Sequence, residues 1–387
     1  MKVIVAPSAL KESLTAQRAA QAIARGLRRA DPSVELDLVP MADGGDGTAE
    51  ALVSATGGRL LRVEAADPLG RPVQAAFGLL GGGGRAVVEM AAASGLALLA
   101  PQERNPLLTS TRGTGQLIRS ALETGASEIL VGIGGSATVD CGTGMAAELG
   151  VRFLDADGKL IENLCGGRLE DIRRVDTSGL DARLQGVRLT VACDVTNPLV
   201  GPQGAARVYA PQKGADAEAV RRLERGIENF ACVVARDLGR DVSRMPGGGA
   251  AGGLGAGLVA LLGAEMTSGV QAVIEASRLA ERIRGGDLVV TSEGRVDEQT
   301  AFGKAPAGVA ALARNHGVPV VVLAGSLGPG HEKLYECGVS AVFSICDRPM
   351  SLEAAMEGAE ALMERVAEAV LRLYQAGPRE GGRVGRA

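Results

Sequence analysis

Tryptophan is absent from this chain, and the aromatic residues together make up only 2% of it. A stacking platform for unpaired bases is hard to build from so few rings, which argues against single-strand nucleic-acid binding. Positive charge is not in excess either: the formal net charge is −4, so no basic surface announces a phosphodiester partner. The six cysteines stand singly at positions 141, 165, 193, 232, 337 and 346, no C-x-x-C occurs, and there are two histidines. A zinc site is therefore not expected, and the scattered thiols suit a reducing compartment. No apolar run approaches the roughly 20 residues of a membrane span. The opening MKVIVAPSAL lacks the apolar core of a secretory signal. No G-x-S-x-G elbow is present, and neither His316 nor His331 sits in a hydrolase-like triad. These exclusions leave a cytoplasmic protein acting on a small molecule, without nucleic acid or membrane as partner.

What is present is length, apolar content and glycine. The 387 residues suffice for two or three domains, and 46% hydrophobic with 22% charged residues is a globular composition. The 56 glycines are clustered rather than periodic, the pattern of backbone loops that approach a ligand closely. Val3-Ile4-Val5 reads as a buried strand, Thr15 as the cap of a helix with Ala19, Ala20, Ile23 and Leu27 on one face, and Val34, Leu36 and Leu38 as a strand at period two. Asp31-Pro32 ends the helix. This β-α-β order favours a parallel sheet. The middle differs: residues 61–65, 73–80 and 86–90 read as strands joined by short turns, and Asp155-Ala-Asp157-Gly158 reads as a hairpin turn. Alternation returns with a strand at 288–291, a helix at 305–316, strands at 318–323 and 341–345, and one long helix over 352–374. The expected fold is α/β: a Rossmann-like parallel-sheet domain, residues 1–65 and 285–376, interrupted by an inserted mixed α/β domain at 66–284, with a disordered Gly/Arg-rich tail at 377–387.

The chemistry-bearing segments follow strands. In EILVGIGGSATVDCGTGM, Gly132-x-Gly134-x-x-Ala137 fits a dinucleotide turn, but Thr138-Val-Asp-Cys-Gly prevents a helix from starting at Ala137, and Asp155 lies in a hairpin rather than at a strand end. Gly134, Gly135, Ser136 and Thr138 instead offer amides and hydroxyls to phosphate oxygens, or form a simple glycine turn. In DGGDGT, Asp43 and Asp46 could converge on Mg²⁺, which takes one or two carboxylates besides substrate phosphates and water; a capped helix after a turn has the same look. Lys11 in SALKES borders the same crevice, and Asp194 in CDVTNP could act as base, metal ligand or turn residue. The loop expected after the strand at 288 packs Glu293, Arg295, Asp297, Gln299, Thr300 and Lys304 together, without matching a Walker loop. The residues alone reach Mg²⁺-dependent phosphate chemistry on a small ligand.

PSALKESL, PMADGGDGT, VEMAAASGL, RGTGQLI, VGIGGSATVD, VACDVTNPLVGPQGA, APQKGA, GGAAGGLGAGL and EGRVDEQTAFGKAP, in unbroken order from about residue 2 to 345, resemble the class I glycerate kinases. The resemblance implies transfer of the ATP γ-phosphoryl group to D-glycerate, most simply at the 2-hydroxyl, with ATP and Mg²⁺ as cofactors; homo-oligomerisation stays open. It implies that Mg²⁺ is held by some of Asp43, Asp46, Glu293 and Asp297, and that Gly134, Gly135, Ser136, Thr138 and Asp140 bind the nucleotide. Lys11 or Lys304 would neutralise the moving phosphoryl group, Asp194 would accept the hydroxyl proton, and Ser8, Ser13, Ser94 and Arg295 would bind substrate in a crevice between domains. The chain departs from the family pattern, which usually has Asp-Ser-aromatic at Ser8-Ala9-Leu10, Asn at Val139, Gly at Cys141, Gly at Ser292 and His at Phe302. Those losses keep open a non-catalytic glycerate or nucleotide sensor, or a kinase for a related hydroxy acid.

Overall fold

A computed structural model describes residues 1–45, 47–301 and 303–377. Asp46, Phe302 and the expected disordered tail from 378 on thus lie outside the described residues. Along the chain the strands are β1 (Lys2–Val5), β2 (Glu35–Leu38), β3 (Arg59–Ala66), β4 (Pro72–Leu79), β5 (Arg85–Glu89), β6 (Glu128–Gly132), β7 (Arg152–Leu154), β8 (Arg174–Asp176), β9 (Arg188–Ala192), β10 (Glu265–Thr267), β11 (Leu288–Val296), β12 (Val320–Leu327) and β13 (Ala341–Ser344). They fall into two compact units, Met1–Ala42 with Ile274–Ala387, and Asp43–Val273. These divisions precede the expected boundaries at 65/66 and 284/285. At the first, the reason is that β3 pairs along its whole length with β4 and so belongs to the second unit's sheet.

The first unit holds a parallel sheet in the order β13-β12-β11-β1-β2. Successive side chains of a strand face opposite ways. Val3, Val5, Leu288, Val290, Val321 and Leu323 pack with the helices Ala16–Ala30 and Ala359–Ala376. The intervening Ile4, Val289, Val320 and Val322 are buried as well, so both faces are covered, as parallel sheets require. Thr15 caps the first helix by accepting from Arg18 N–H, and Ala19, Ala20, Ile23 and Leu27 form its buried face. The expected single helix over 352–374 is two, Leu352–Glu357 and Ala359–Ala376, separated at Gly358.

The two packed helices meet at Gly26, where a Cβ would lie 2.0 Å from the Glu364 carbonyl oxygen and 2.9 Å from Ala367 Cβ. A glycine-to-alanine change inside a helix ordinarily stabilises by roughly 0.5–1 kcal/mol. Here overpacking dominates, and Gly26→Ala should destabilise the unit by roughly 1–3 kcal/mol. Urea unfolding of both proteins checks the sign.

The second unit holds a six-stranded sheet in the order β10-β9-β6-β5-β4-β3, parallel from β10 to β5 and antiparallel from β5 to β3. Its core includes the fully buried rings of Phe77, Phe153 and Phe230; burying such a side chain contributes roughly 1.5–3 kcal/mol. The hairpin expected at 151–161 closes through Asp155 N–H to the Lys159 carbonyl at 2.9 Å, but β7 takes β8 as its ladder partner.

Candidate active site

In the second unit the last residues of four parallel strands stand in register: Glu89 beside Gly132, Gly132 beside Ala192, and Ala192 beside Thr267. Ligands of open α/β sheets gather at such carboxyl ends. The DGG turn lies against this row. Gly44, at φ +83°, has no room for a side chain, since a Cβ would come 2.7 Å from Ala192 Cβ and 3.3 Å from Gly269 Cα. A Cβ on Gly132 would lie 2.7 Å from the Gly44 carbonyl oxygen, and one on Gly134 3.0 Å from Gly45 Cα. The turn is held from within and from β5: Asp43 Oδ1 accepts from Gly45 N–H at 3.2 Å, and Glu89 Oε1 accepts from Thr48 N–H at 2.7 Å. The glycines of two separate motifs are therefore needed for this close backbone approach.

Asp194 follows β9 by one residue past Cys193, and its Oδ1 accepts from Gly269 N–H at 2.8 Å. A Cβ on Gly269 would sit 1.8 Å from the Asp43 carbonyl oxygen and 2.8 Å from Asp194 Oδ2, so this glycine is wedged between the two acids. Burial raises the Asp194 carboxyl above its ordinary value, the Gly269 N–H opposes that, and the charge of Asp43 adds to the rise. Asp43 and Asp194 are thus close enough to repel. Among the described residues no group of three or more His, Cys, Asp or Glu could cage a metal. A carboxylate pair beside a glycine loop still fits Mg²⁺, which completes its shell with phosphate oxygens and water.

The loop from β6 runs over residues 133–142 before the helix Thr143–Glu148 begins, so no dinucleotide-type helix starts at Ala137. Gly135 is exposed and adopts φ +71°, while its carbonyl accepts from Leu96 N–H at 2.8 Å. Ser136 is half-buried, and its Oγ accepts from Lys213 Nζ at 2.6 Å. Thr138 and Asp140, both expected to bind the nucleotide, are fully buried. Asp140 is satisfied by the protein itself: Oδ2 accepts from Thr111 N–H and Oγ1–H, both at 2.8 Å, and from Gly144 N–H at 3.3 Å, while Oδ1 accepts from Gly142 N–H at 3.2 Å. Burial raises its carboxyl, against the lowering effect of these bonds. Ser94, expected to touch substrate, is likewise buried and accepts from Thr114 Oγ1 at 2.8 Å.

In the first unit, Glu293 and Arg295 belong to β11 itself rather than to a following loop. The strand is longer than expected because β12 pairs with it through Leu327, and Gly294 and Gly325 admit the close backbones. Arg295 Nε lies 3.2 Å from Asp297 Oδ2, and Asp297 Oδ1 accepts from Gln299 N–H at 3.1 Å. Lys304 precedes the helix Ala305–Arg314, and Lys11 is exposed. Ser13 donates to the Met356 carbonyl at 2.8 Å, so its hydroxyl proton is engaged. Ser8 is 8% exposed and its Oγ has no partner among the described residues. Ser292 Oγ donates to the Ser8 carbonyl at 3.0 Å.

The model of the glycerate kinase family matches residues 3–375. The chain belongs to the glycerate kinase family. It is 49% identical to a glycerate kinase of Halalkalibacterium halodurans over 94% of this chain and 96% of that one. It is 46% identical to the glycerate 2-kinase of Escherichia coli K12 over 93% and 94% of the two chains. The crystal structure of a candidate glycerate kinase 2 from Salmonella typhimurium LT2 superposes with a TM-score of 0.89 at 45% identity, covering 97% of this chain and 98% of that one. Membership makes the protein a kinase, and it places the departures in context. Ser8 and Ser292, two of them, touch each other. Cys141, where the family usually has Gly, keeps the left-handed φ of +52° that glycine adopts freely, and burial pushes its thiol well up. Among the described residues, no helix of this glycerate kinase is long and apolar enough to cross a membrane.

Lys213, buried beneath the loop after β6 and bonded to Ser136, is not among the residues expected from the motifs. Its signal was the lone lysine of APQKGA, squeezed between Pro211-Gln212 and the left-handed Gly214.

Proposed function

We propose that the protein phosphorylates D-glycerate at its 2-hydroxyl, with ATP as donor and Mg²⁺ as cofactor. The observation that carries the proposal is the Asp43–Asp194 carboxylate pair beside the glycine loop after β6. Phosphoryl transfer asks mainly for positioning and charge neutralisation, and this arrangement offers both. Asp43 would hold the metal. When bound, Mg²⁺ supplies neutralisation of the β- and γ-phosphate charge. Gly134, Gly135 and Ser136 donate to phosphate oxygens. Gly269 N–H fixes Asp194 through Oδ1 and leaves Oδ2 to take the proton from the attacking hydroxyl. The raised carboxyl makes Asp194 a better proton acceptor than an ordinary surface aspartate. Lys11, Arg295 and Lys304 are the cationic candidates for anionic groups in their own unit, with Glu293 and Asp297 as its acids. The name of the Escherichia coli relative supports the 2-hydroxyl as acceptor.

Incubation with Mg-ATP and D-glycerate, followed by phosphorus NMR, should yield 2-phosphoglycerate and ADP. ATP left intact in the presence of glycerate would favour a sensor, and a 3-phospho product would overturn the regiochemistry.

A further inference from the structure

Lys213 is 2% exposed, and among the described residues no other lysine or arginine is as buried. It ends the turn Pro211–Lys213, and its Nζ reaches Ser136 Oγ at 2.6 Å and the Thr138 carbonyl oxygen at 2.8 Å. No carboxylate pairs with it directly among the described residues; Asp140 acts on it only through its charge, and Asp140's oxygens are taken up by Thr111, Gly142 and Gly144. Burial pushes the amine down to about 7. An unpaired buried cation is destabilising, so its presence asks for a reason beyond the fold.

The two hydrogen bonds supply one. A hydroxyl has a single proton to donate. In its ammonium form Lys213 has no lone pair and can only donate to Ser136 Oγ, so in that form the serine's own O–H points elsewhere, and Ser136 is half-buried whereas Lys213 is out of a ligand's reach. A bond from a cation also polarises the hydroxyl and strengthens it as a donor. The second bond ties down the Thr138 carbonyl, which keeps that oxygen from facing an anion. We infer that Lys213 is a positioning residue that sets Ser136 Oγ–H as a donor to a phosphate oxygen of the nucleotide, working from beneath the loop without touching the ligand. This rests on the proposed assignment of that loop to the triphosphate.

Lys213→Met removes the charge and keeps the length. Its Tm should equal or exceed that of the wild type, because a buried charge has been removed. Calorimetric Kd for Mg-ATP should rise about tenfold, equivalent to about 1.4 kcal/mol. KM for ATP should rise with it, while kcat and KM for glycerate move much less. Ser136→Ala should show a similar loss, and the double variant should be no worse than Ser136→Ala alone. Lys213→Gln, which retains an N–H donor, should fall between wild type and Lys213→Met, and serves if the methionine variant does not fold. Normal Mg-ATP binding by Lys213→Met alongside weakened binding by Ser136→Ala overturns the inference and leaves the proposed function standing. Full additivity in the double variant also overturns it, as does failure of both lysine variants to fold, since Lys213 is then an anchor of the structure. Normal binding by Ser136→Ala instead removes the loop from phosphate binding, so the placement of the triphosphate falls and this inference with it.

Discussion

Replacing Asp194 by Asn is expected to lower kcat by roughly 10²–10⁴-fold, the range removed with a positioned general base, while Mg-ATP still binds. The amide is isosteric and its oxygen can keep the bond from Gly269 N–H, now 2.8 Å long, so the loop stays in place. What disappears is the capacity to take the proton of the attacking hydroxyl. The wild-type pH profile should carry the same signature. Asp194 acts as acceptor only when ionised, and burial and the charge of Asp43 raise its carboxyl. The acid limb of kcat/KM, which reports the free enzyme, therefore lies above the ordinary aspartate range, with activity lost as pH falls through the raised value, and Asp194→Asn abolishes that limb. Stability moves the other way. A carboxyl whose folded pKa is raised binds its proton more tightly in the folded state, so ionising it at neutral pH disfavours folding. The variant should melt at or above the wild-type temperature at pH 7. Turnover equal to wild type would remove Asp194 from the chemistry and leave it a turn residue.

The fold was legible wherever one physical signal acted alone. The period of Val34, Leu36 and Leu38, and the capped face of Ala19, Ala20, Ile23 and Leu27, depend on local geometry, and the structure keeps both β2 and the helix Ala16–Ala30. β11 runs beyond the expected 288–291 because Glu293, Gly294 and Arg295 carry no strand pattern of their own and are extended by pairing with β12. Glycine clustering marks the loops after β2 and β6 without telling which groups reach solvent. The burial of Asp140 and Ser94 is not legible in their motifs, because it depends on partners at 111 and 114, distant in sequence, that donate to their side chains. Lys213 was obscured for the opposite reason: a lysine in a polar turn reads as a surface residue, and only the packing of residues 136–140 over it reveals the burial. Asp43 and Asp194 were each identified from their motifs, but their mutual approach depends on Gly269, in a stretch without any motif.

Gly269→Ala is the substitution that tests this approach most severely. Its φ is not in the left-handed region, so backbone conformation does not forbid alanine; contact does. The added methyl would stand 1.8 Å from the Asp43 carbonyl oxygen and 2.3 Å from its carbonyl carbon, with Asp194 Oδ2 at 2.8 Å. No flexible side-chain end can yield at the first two, so the DGG turn or the strand end at Thr267 must shift by an ångström or more. Displacement of that size can lower a rate by about 10²-fold even away from the reacting atoms. It also pulls Gly269 N–H from Asp194, which then loses both its fixed orientation and the bond that opposes the rise of its carboxyl. Activity should fall by at least about 10²-fold, with a loss of stability of roughly 1–3 kcal/mol from overpacking. The acid limb should move to higher pH, because the bond that favours the ionised carboxylate is gone. A global defect would reduce activity without moving that limb, so the pH profile separates the two. If the alanine variant keeps wild-type turnover and an unshifted limb, the two acids do not depend on this wedge, and the paired-carboxylate site loses its structural basis.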